Sequence, residues 1–468
     1  MGIGLTQYMW VTIIVGGVIG IVVLTKVPEM LVVVLMLGGA YIQYVFVLFG
    51  YQITRRQFAT AGAIIFIPLV LLFLMMRMLH TREREAIIGR PNWAFIVTSV
   101  AMGAVFLIGL SYTLAPVYGA QKTGEYFIFG MAPMLLAFVF LRDLASARRF
   151  LVWVVVIPAL TICITSVYTI ATRGTLFVWM GGERAATSSG EFTIAGHGGI
   201  SGAALMILAA FLALAAGRQG TKWKALPILA LPILTFYIFF AGTRSNFVSF
   251  FFLVVVGFFF AYKGSRKALL ATFGVLVLSG AILVALAPEE LRERMLSSWL
   301  SGETAPGAAA RGRLGWAIDC VGFWSQSPVI GWGTGDYTIL EDGMDVYDYP
   351  HNMYAEVLAE NGIVGFTVFV ALWYLVLRRL WRCLRDEEPG TELYGFAVFG
   401  MCLMAMEFFT GAAHFGLAHH SCTLLISSAV ILRTTFLAEE ARLSEEHPEA
   451  EEAEAGVMAH PVLKAGPL

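Results

Sequence analysis

Three short clusters bring together the residue types needed to act on a phosphate-bearing substrate. The first is Gly242-Thr243-Arg244-Ser245-Asn246. A guanidinium matches a phosphate bidentately, which an ammonium cannot do, and Ser245 and Asn246 add hydrogen-bond donors beside Arg244. The second is Arg311-Gly312-Arg313-Leu314-Gly315-Trp316, followed by Ser327-Pro328-Val329-Ile330-Gly331-Trp332-Gly333-Thr334-Gly335. Alternating glycines let a backbone approach a ligand closely. A Gly-x-Gly-x-Gly run by itself is more often a turn, and no strand–turn–helix pattern surrounds this one to make a dinucleotide fingerprint. The third cluster is Tyr349-Pro350-His351-Asn352-Met353-Tyr354, with Glu356 and Glu360 beyond it. As a histidine, His351 can serve either as a general base or as an imidazolium holding a phosphate. The bland reading is a histidine packed in a loop or capping a helix. One helical turn on from His351 stand Tyr354 and Ala355, neither of them acidic, so any carboxylate that orients the ring comes from elsewhere in the fold. Asp336, Asp345, Asp348 and Glu356 are rival bases, and each taken singly reads as solvated surface. No Asp-x-Asp and no paired Cys or His lies in this region, so the spacing supplies no metal site.

The elements that must position these clusters follow from composition. The chain has 468 residues, 58% hydrophobic and 13% charged, with a mean hydropathy of +0.77. Soluble domains carry about 25% charged residues, so a soluble enzyme is excluded. Five scattered cysteines make no disulfide framework. A net charge of −1 without a basic block argues against nucleic acid. What remains is an all-α polytopic membrane protein. A bilayer core needs about 20 apolar residues per spanning helix. Apolar stretches near 8–25, 29–49, 57–76, 92–112, 126–141, 150–172, 199–217, 225–241, 245–262, 268–287, 362–380, 393–413 and 418–437 predict about 12–13 transmembrane helices. The first stretch lacks a basic flank and a small-residue cleavage pattern and so reads as a span, not as a signal peptide.

Lysine and arginine concentrate in cytoplasmic connections. Here they gather at Arg77 to Arg90, Arg142 to Arg149, Arg218 to Lys224, Lys263 to Lys267 and Arg378 to Arg385. The opposite, external face then holds the connections 113–125 and 173–198 and a large loop, 288–361, which contains no lysine. Helices are expected in that loop from Pro288 and from about Arg313 to Ser325. The chain divides into N-terminal transmembrane helices (1–198), central transmembrane helices with Arg244 at the external surface (199–287), an external catalytic loop (288–361) and C-terminal transmembrane helices (362–437). A Glu-rich, disordered cytoplasmic tail (438–468) completes it. All three clusters lie on the external side.

Taken in order, Arg-Ser at a span start, Arg313-Leu314 through Pro328 to Gly331 and Gly333, and His351-Asn352 through Tyr354, Glu356, Leu358 and Glu360 to Gly362 and Gly365 resemble the O-antigen ligase and polymerase superfamily. The resemblance is best from about 200 to 380. It implies a GT-C type glycosyltransferase in the bacterial cytoplasmic (inner) membrane, working on the periplasmic side with no metal and no cofactor. Such enzymes transfer a glycan, with inversion, from undecaprenyl pyrophosphate to an acceptor hydroxyl. The acceptor is a lipid A core sugar in ligases, a growing polysaccharide in polymerases and a Ser/Thr side chain in protein-modifying enzymes. A chain without a long appended domain fits ligase or polymerase better.

By this resemblance Arg244 and Arg313, with Arg311 as an alternative to Arg313, face the pyrophosphate, where fixed positive charge is needed as the leaving group departs. His351 is either the base or a clamp. Ser245, Gly331, Gly333, Asn352 and Tyr354 complete the substrate site. The rival function is a transporter or flippase of lipid-linked glycans, which needs a polar path through the spans. Glu407 is the one carboxylate that the hydropathy pattern places inside a span, in a functional or a buried structural role. His414, His419 and His420 read as interfacial residues, His197 as a possible cavity lining, and the cysteines as apolar fillers.

Overall fold

A computed structural model describes residues 26–36, 93–173, 199–240, 244–263, 265–286, 312–346, 348–413 and 416–446. Arg311, His197, His414, the helix expected from Pro288 and most of the first three apolar stretches lie outside the described residues. So do the side chains of Arg244, Ser245, Arg313 and His419.

Among the described residues every regular element is helical. In chain order these are α1 (Pro28–Met36), α2 (Trp93–Leu110), α3 (Pro116–Glu125), α4 (Ala132–Phe140), α5 (Leu144–Arg173), α6 (Gly199–Gly217), α7 (Thr221–Phe240) and α8 (Arg244–Ala261). They continue with α9 (Arg266–Leu286), α10 (Gly312–Gln326), α11 (Tyr337–Asp342), α12 (Met353–Asp386), α13 (Glu392–Ala413) and α14 (Leu417–Glu446). Six helical stretches are long and apolar enough to cross a bilayer: Trp93–Leu110, Pro116–Phe140, Leu144–Ile164, Met353–Asp386, Glu392–Ala412 and His420–Glu446. Shorter apolar helices cover Gly202–Gly217, Val248–Ala261 and Leu270–Leu283. The protein is an all-α polytopic membrane protein.

At the centre, α6 and α13 pack on each other and on α8, and α14 packs on α13 and α4. The sequence reason is small residues. Ala203, Ala204, Ala209, Ala210, Ala213 and Ala216 of α6 are all buried, and a Cβ on Gly217 would lie 3.0 Å from the Gly395 Cα of α13. In lipid no hydrophobic force drives helices together, so close backbone approach through Ala and Gly has to. Buried charge at the ends is also bonded. Arg433 donates from Nε to the Leu141 carbonyl (2.7 Å) and from Nη2 to the Arg142 carbonyl (3.0 Å), satisfying the open end of α4. Glu29 of α1 pairs with Arg149 of α5.

Two sequence expectations change here. The connection 113–125 is largely helix: Pro116 opens α3, which runs through a π-helical turn (Tyr126–Met131) directly into α4 as one candidate span. Pro133 has no N–H to return to a carbonyl one turn back, which is a sufficient cause for the wider turn before it. And α14 continues to Glu446, past Leu437, where the tail was expected to begin.

Candidate functional site

The candidate site lies where α12 begins. Asn352 is the N-cap of α12, its Oδ1 accepting the Ala355 N–H at 3.1 Å. The residue before it, His351, is the non-glycine residue with a left-handed backbone among those described, at φ 54°. That conformation costs free energy for a side-chain-bearing residue and persists only where the surroundings impose it. Here they do. The imidazole stacks on Trp316 of α10 (centroids 5.4 Å apart, planes at 26°) and meets the Tyr349 ring at 4.6 Å. Tyr349 in turn lies against Gly416, between α13 and α14, where no side chain would fit. Trp316 stands one helical turn after Arg313, so α10 carries the arginine position and the histidine's platform on one short helix. Arg244 is the first residue of α8.

Beneath His351, α12 carries Glu356 and Glu360 on one face, one turn apart, and both are fully buried. They close on Lys122 of α3, also fully buried: its Nζ donates to Glu360 Oε2 at 2.6 Å and to Glu356 Oε1. The other oxygen of Glu356 accepts the Leu417 N–H at 2.6 Å, filling an open position at the start of α14. One triad therefore ties α3, α12 and α14 together just below the His351 turn. This corrects two expectations. Glu356 is not solvated surface, and Glu407 is not the one carboxylate inside a span, since Glu356 and Glu360 lie in the candidate span Met353–Asp386.

The Gly-rich run is a wedge. Within α12, Gly362 departs from helical geometry (φ 61°, ψ −164°) and breaks the helix. Segment 328–333 fills the break. Trp332 and Gly333 donate their N–H groups to the Ala359 and Glu360 carbonyls (3.1 and 2.9 Å). In return Ile363 and Val364 donate to the Pro328 and Val329 carbonyls (2.9 and 3.2 Å). The carbonyls and amides orphaned by the kink are thus satisfied reciprocally. The Gly331 N–H is also taken internally, by Ser327 O at 3.1 Å. Thr334 reaches across to the Phe106 carbonyl of α2 at 3.0 Å and accepts from Asn361 at 3.3 Å. Gly331 and Gly333 are therefore committed to backbone contacts inside the protein, as Asn352 is to its cap. Tyr354 donates its hydroxyl to the Phe408 carbonyl of α13 at 3.2 Å.

Two of the rival bases have structural partners. Asp336 Oδ1 accepts the N–H groups of Leu114 (2.7 Å) and Ala115 (2.9 Å) and the Thr113 hydroxyl. Asp345 accepts those of Val117 (2.8 Å) and Tyr118 (2.9 Å). Together they neutralise the positive end of α3, whose own N-cap, Ala115, has no side chain to do so. Burial holds the Asp336 carboxyl above its ordinary range, and the three hydrogen bonds pull against that. Asp348 keeps an exposed position and accepts the Tyr349 N–H at 2.8 Å.

Glu407 of α13 accepts from Ser427 (2.9 Å) and Thr423 (3.0 Å) of α14 and lies 3.1 Å from His420 Nε2. His420 is fully buried at that contact, not interfacial as its sequence neighbourhood suggested. Among the described residues no three His, Cys, Asp or Glu side chains converge as a metal site.

Fold and site together define a multi-pass helical membrane protein with a histidine-centred turn and an arginine-bearing helix at one end of its bundle. Within that class, the family model described as O-antigen ligase matches residues 228–370, from α7 into α12. The match covers α8, α10, the Gly-rich wedge and the His351 turn, and supports placing this segment in the O-antigen ligase superfamily. No curated protein matches the chain.

Lys122 is the site residue that sequence reasoning missed. Its signal was present as two glutamates at i and i+4 in a span-proximal helix, which need a cation if they are to be buried.

Proposed function

We propose that the protein is a metal-independent, inverting glycosyltransferase of the O-antigen ligase or polymerase type. It moves a glycan from undecaprenyl pyrophosphate to an acceptor hydroxyl on the periplasmic face of the bacterial inner membrane. The observation that carries this reading is the strained His351, held against Trp316 on the helix that bears Arg313, inside the segment matched by the O-antigen ligase family. In the reaction the acceptor oxygen bonds to the anomeric carbon as the bond from that carbon to the pyrophosphate oxygen breaks. The hydroxyl proton passes to His351, and the departing pyrophosphate takes up the bonding pair. Arg313, Arg244 and Arg311 stabilise the charge that develops there. Ser245 adds a donor, while Asn352, Tyr354, Gly331 and Gly333 shape the turn that presents the histidine. The acceptor is a lipid A core sugar or a growing polysaccharide.

The test uses purified protein in detergent with EDTA, undecaprenyl-pyrophosphate-linked glycan, and either lipid A core or no added acceptor. Transfer is expected to persist in EDTA and to fall by about 10²-fold or more in His351→Ala, the scale of general-base catalysis. Arg313→Ala is expected to be similarly impaired. Transfer to the core marks a ligase, and a ladder from donor alone marks a polymerase. Movement of the lipid across a vesicle without any transfer would replace this reading with a flippase.

A further inference from the structure

Helix α10 belongs to the loop that the sequence places outside the membrane, yet its outward face is mainly apolar, and the exposed Ser325 within it turns its hydroxyl back to the Gly322 carbonyl (2.7 Å). Leu314, Ile318 and Val321, at i, i+4 and i+7, are 76%, 61% and 47% exposed. The opposite face is packed on the protein through Cys320, Ala317 and Phe323, against Tyr337, Ala355 and Ala359. Between the two faces, Asp319 and Gln326 form a narrow polar strip one position wide. A helix in water shares the apolar inward face but turns a polar face outward.

The apolar stripe does not end with the helix. Val329 and Ile330, in the turn that follows, are 59% and 54% exposed. That turn is joined by backbone hydrogen bonds to Ile363 and Val364, which are themselves exposed on the membrane-spanning helix α12. The Ile330 carbonyl also accepts the Tyr112 hydroxyl (2.7 Å) at the end of α2, next to exposed Leu107 and Ile108 of that span. The stripe is therefore continuous with the lipid-facing belts of two spans.

We infer that α10 and the 328–330 turn lie in the plane of the membrane interface, with Leu314, Ile318, Val321, Val329 and Ile330 inserted among the lipid acyl chains. Asp319 and Gln326 then face the headgroups. The inference deepens the proposed function. An in-plane α10 holds the Arg313 position and the Trp316–His351 stack at headgroup depth, where the diphosphate of a membrane-anchored donor resides. A site standing clear of the bilayer would require that donor to be lifted out.

The test reads lipid contact alone, without donor or turnover. The full chain, with the photocrosslinker p-benzoylphenylalanine replacing Ile318 or, separately, Val329, is reconstituted in phosphatidylethanolamine–phosphatidylglycerol liposomes and irradiated. Leu278, exposed on α9, serves as the lipid-facing reference, and exposed Asp342 as the aqueous one. Phospholipid adducts are expected by intact mass at 318 and 329, in yield comparable with 278 and well above 342. Yields at the level of 342, crosslinks to a second copy of the chain, or crosslinks within the chain to residues 287–311 would each overturn the inference. Such a failure would leave the transferase reading standing, because the glycan-transfer assay measures that separately.

Discussion

Lys122 shows how a single residue can be misread from its neighbours. The segment Pro116–Glu125 is the least apolar part of its span, and hydropathy averaging takes it for a loop. Its lysine is made tolerable inside the protein by Glu356 and Glu360, more than 230 positions away. Removing one partner from a buried ion pair costs about 3–5 kcal/mol, because the remaining charge is left uncompensated. Lys122→Met is therefore expected to lower stability on that scale in detergent, read by chemical unfolding. The triple variant Lys122→Met, Glu356→Gln, Glu360→Gln should recover much of the loss. If Lys122→Met unfolds within about 0.5 kcal/mol of the parent, the ordinary range for substitutions away from such features, the triad is not what ties α3, α12 and α14 together. Other residues were legible without the fold. His351 stood out as a titratable ring in an apolar chain, and Arg313 as a guanidinium in a lysine-free loop. What could not be read was the platform of the imidazole, since Trp316 reaches it through tertiary packing.

Among the elements, the kinked α12 and its wedge carry the closest link between sequence motif and geometry. The Pro-x-x-Gly-x-Gly run by itself reads more often as a turn than as a ligand cradle, and both need glycine for the same conformational reason. The backbone bonds of Trp332, Gly333, Ile363 and Val364 show it closing a broken helix. Gly362 is the pivot: its φ is 61°, and a Cβ there would run into the Val329 carbonyl. Gly362→Ala should cost roughly 1–3 kcal/mol from backbone strain alone, and more from the collision, and lower transfer activity by displacing the turn. Gly274→Ala is the matched control. It lies in α9 with open space around it, so it should leave stability unchanged or slightly raised. Equal thermal stability for the two variants would show that the wedge tolerates displacement. The helix boundaries were largely readable: a helix expected from about Arg313 to Ser325 is α10, Gly312–Gln326. The entry of α3 into the bundle was not, because its caps, Asp336 and Asp345, come from a distant loop.

For the whole molecule, the direction of the bundle follows from its basic ends. The turns between α4 and α5, α6 and α7, and α8 and α9, and the last turns of α12 before α13, carry arginine or lysine. They share one end: the Gly390 N–H donates to the Ala216 carbonyl, the Tyr262 hydroxyl to the Lys224 carbonyl, and Arg148 pairs with Glu392. The His351 turn, α10 and α11 lie at the other. Positive charge is retained on the cytoplasmic side. A cysteine replacing Asp342 should therefore react with a membrane-impermeant maleimide in intact cells, and one replacing Glu388 only after lysis. Both tests belong in a background where exposed Cys163 is serine, the other four cysteines being buried. The opposite labelling pattern would invert the topology and place the site in the cytoplasm.

Composition and apolar runs alone determined that this is a helical membrane protein, because about 20 apolar residues in lipid admit little else but a spanning helix. The order of arginine, glycine and histidine motifs likewise marked the segment that the O-antigen ligase family matches. Tertiary structure decided which polar groups face one another. It put Lys122 between two glutamates, Glu407 beside His420, Asp336 and Asp345 at the head of α3, and His351 on Trp316. These contacts join positions far apart in the chain. A periodic pattern reports which face of a helix avoids water, and it carries no information about which buried charge lies opposite which.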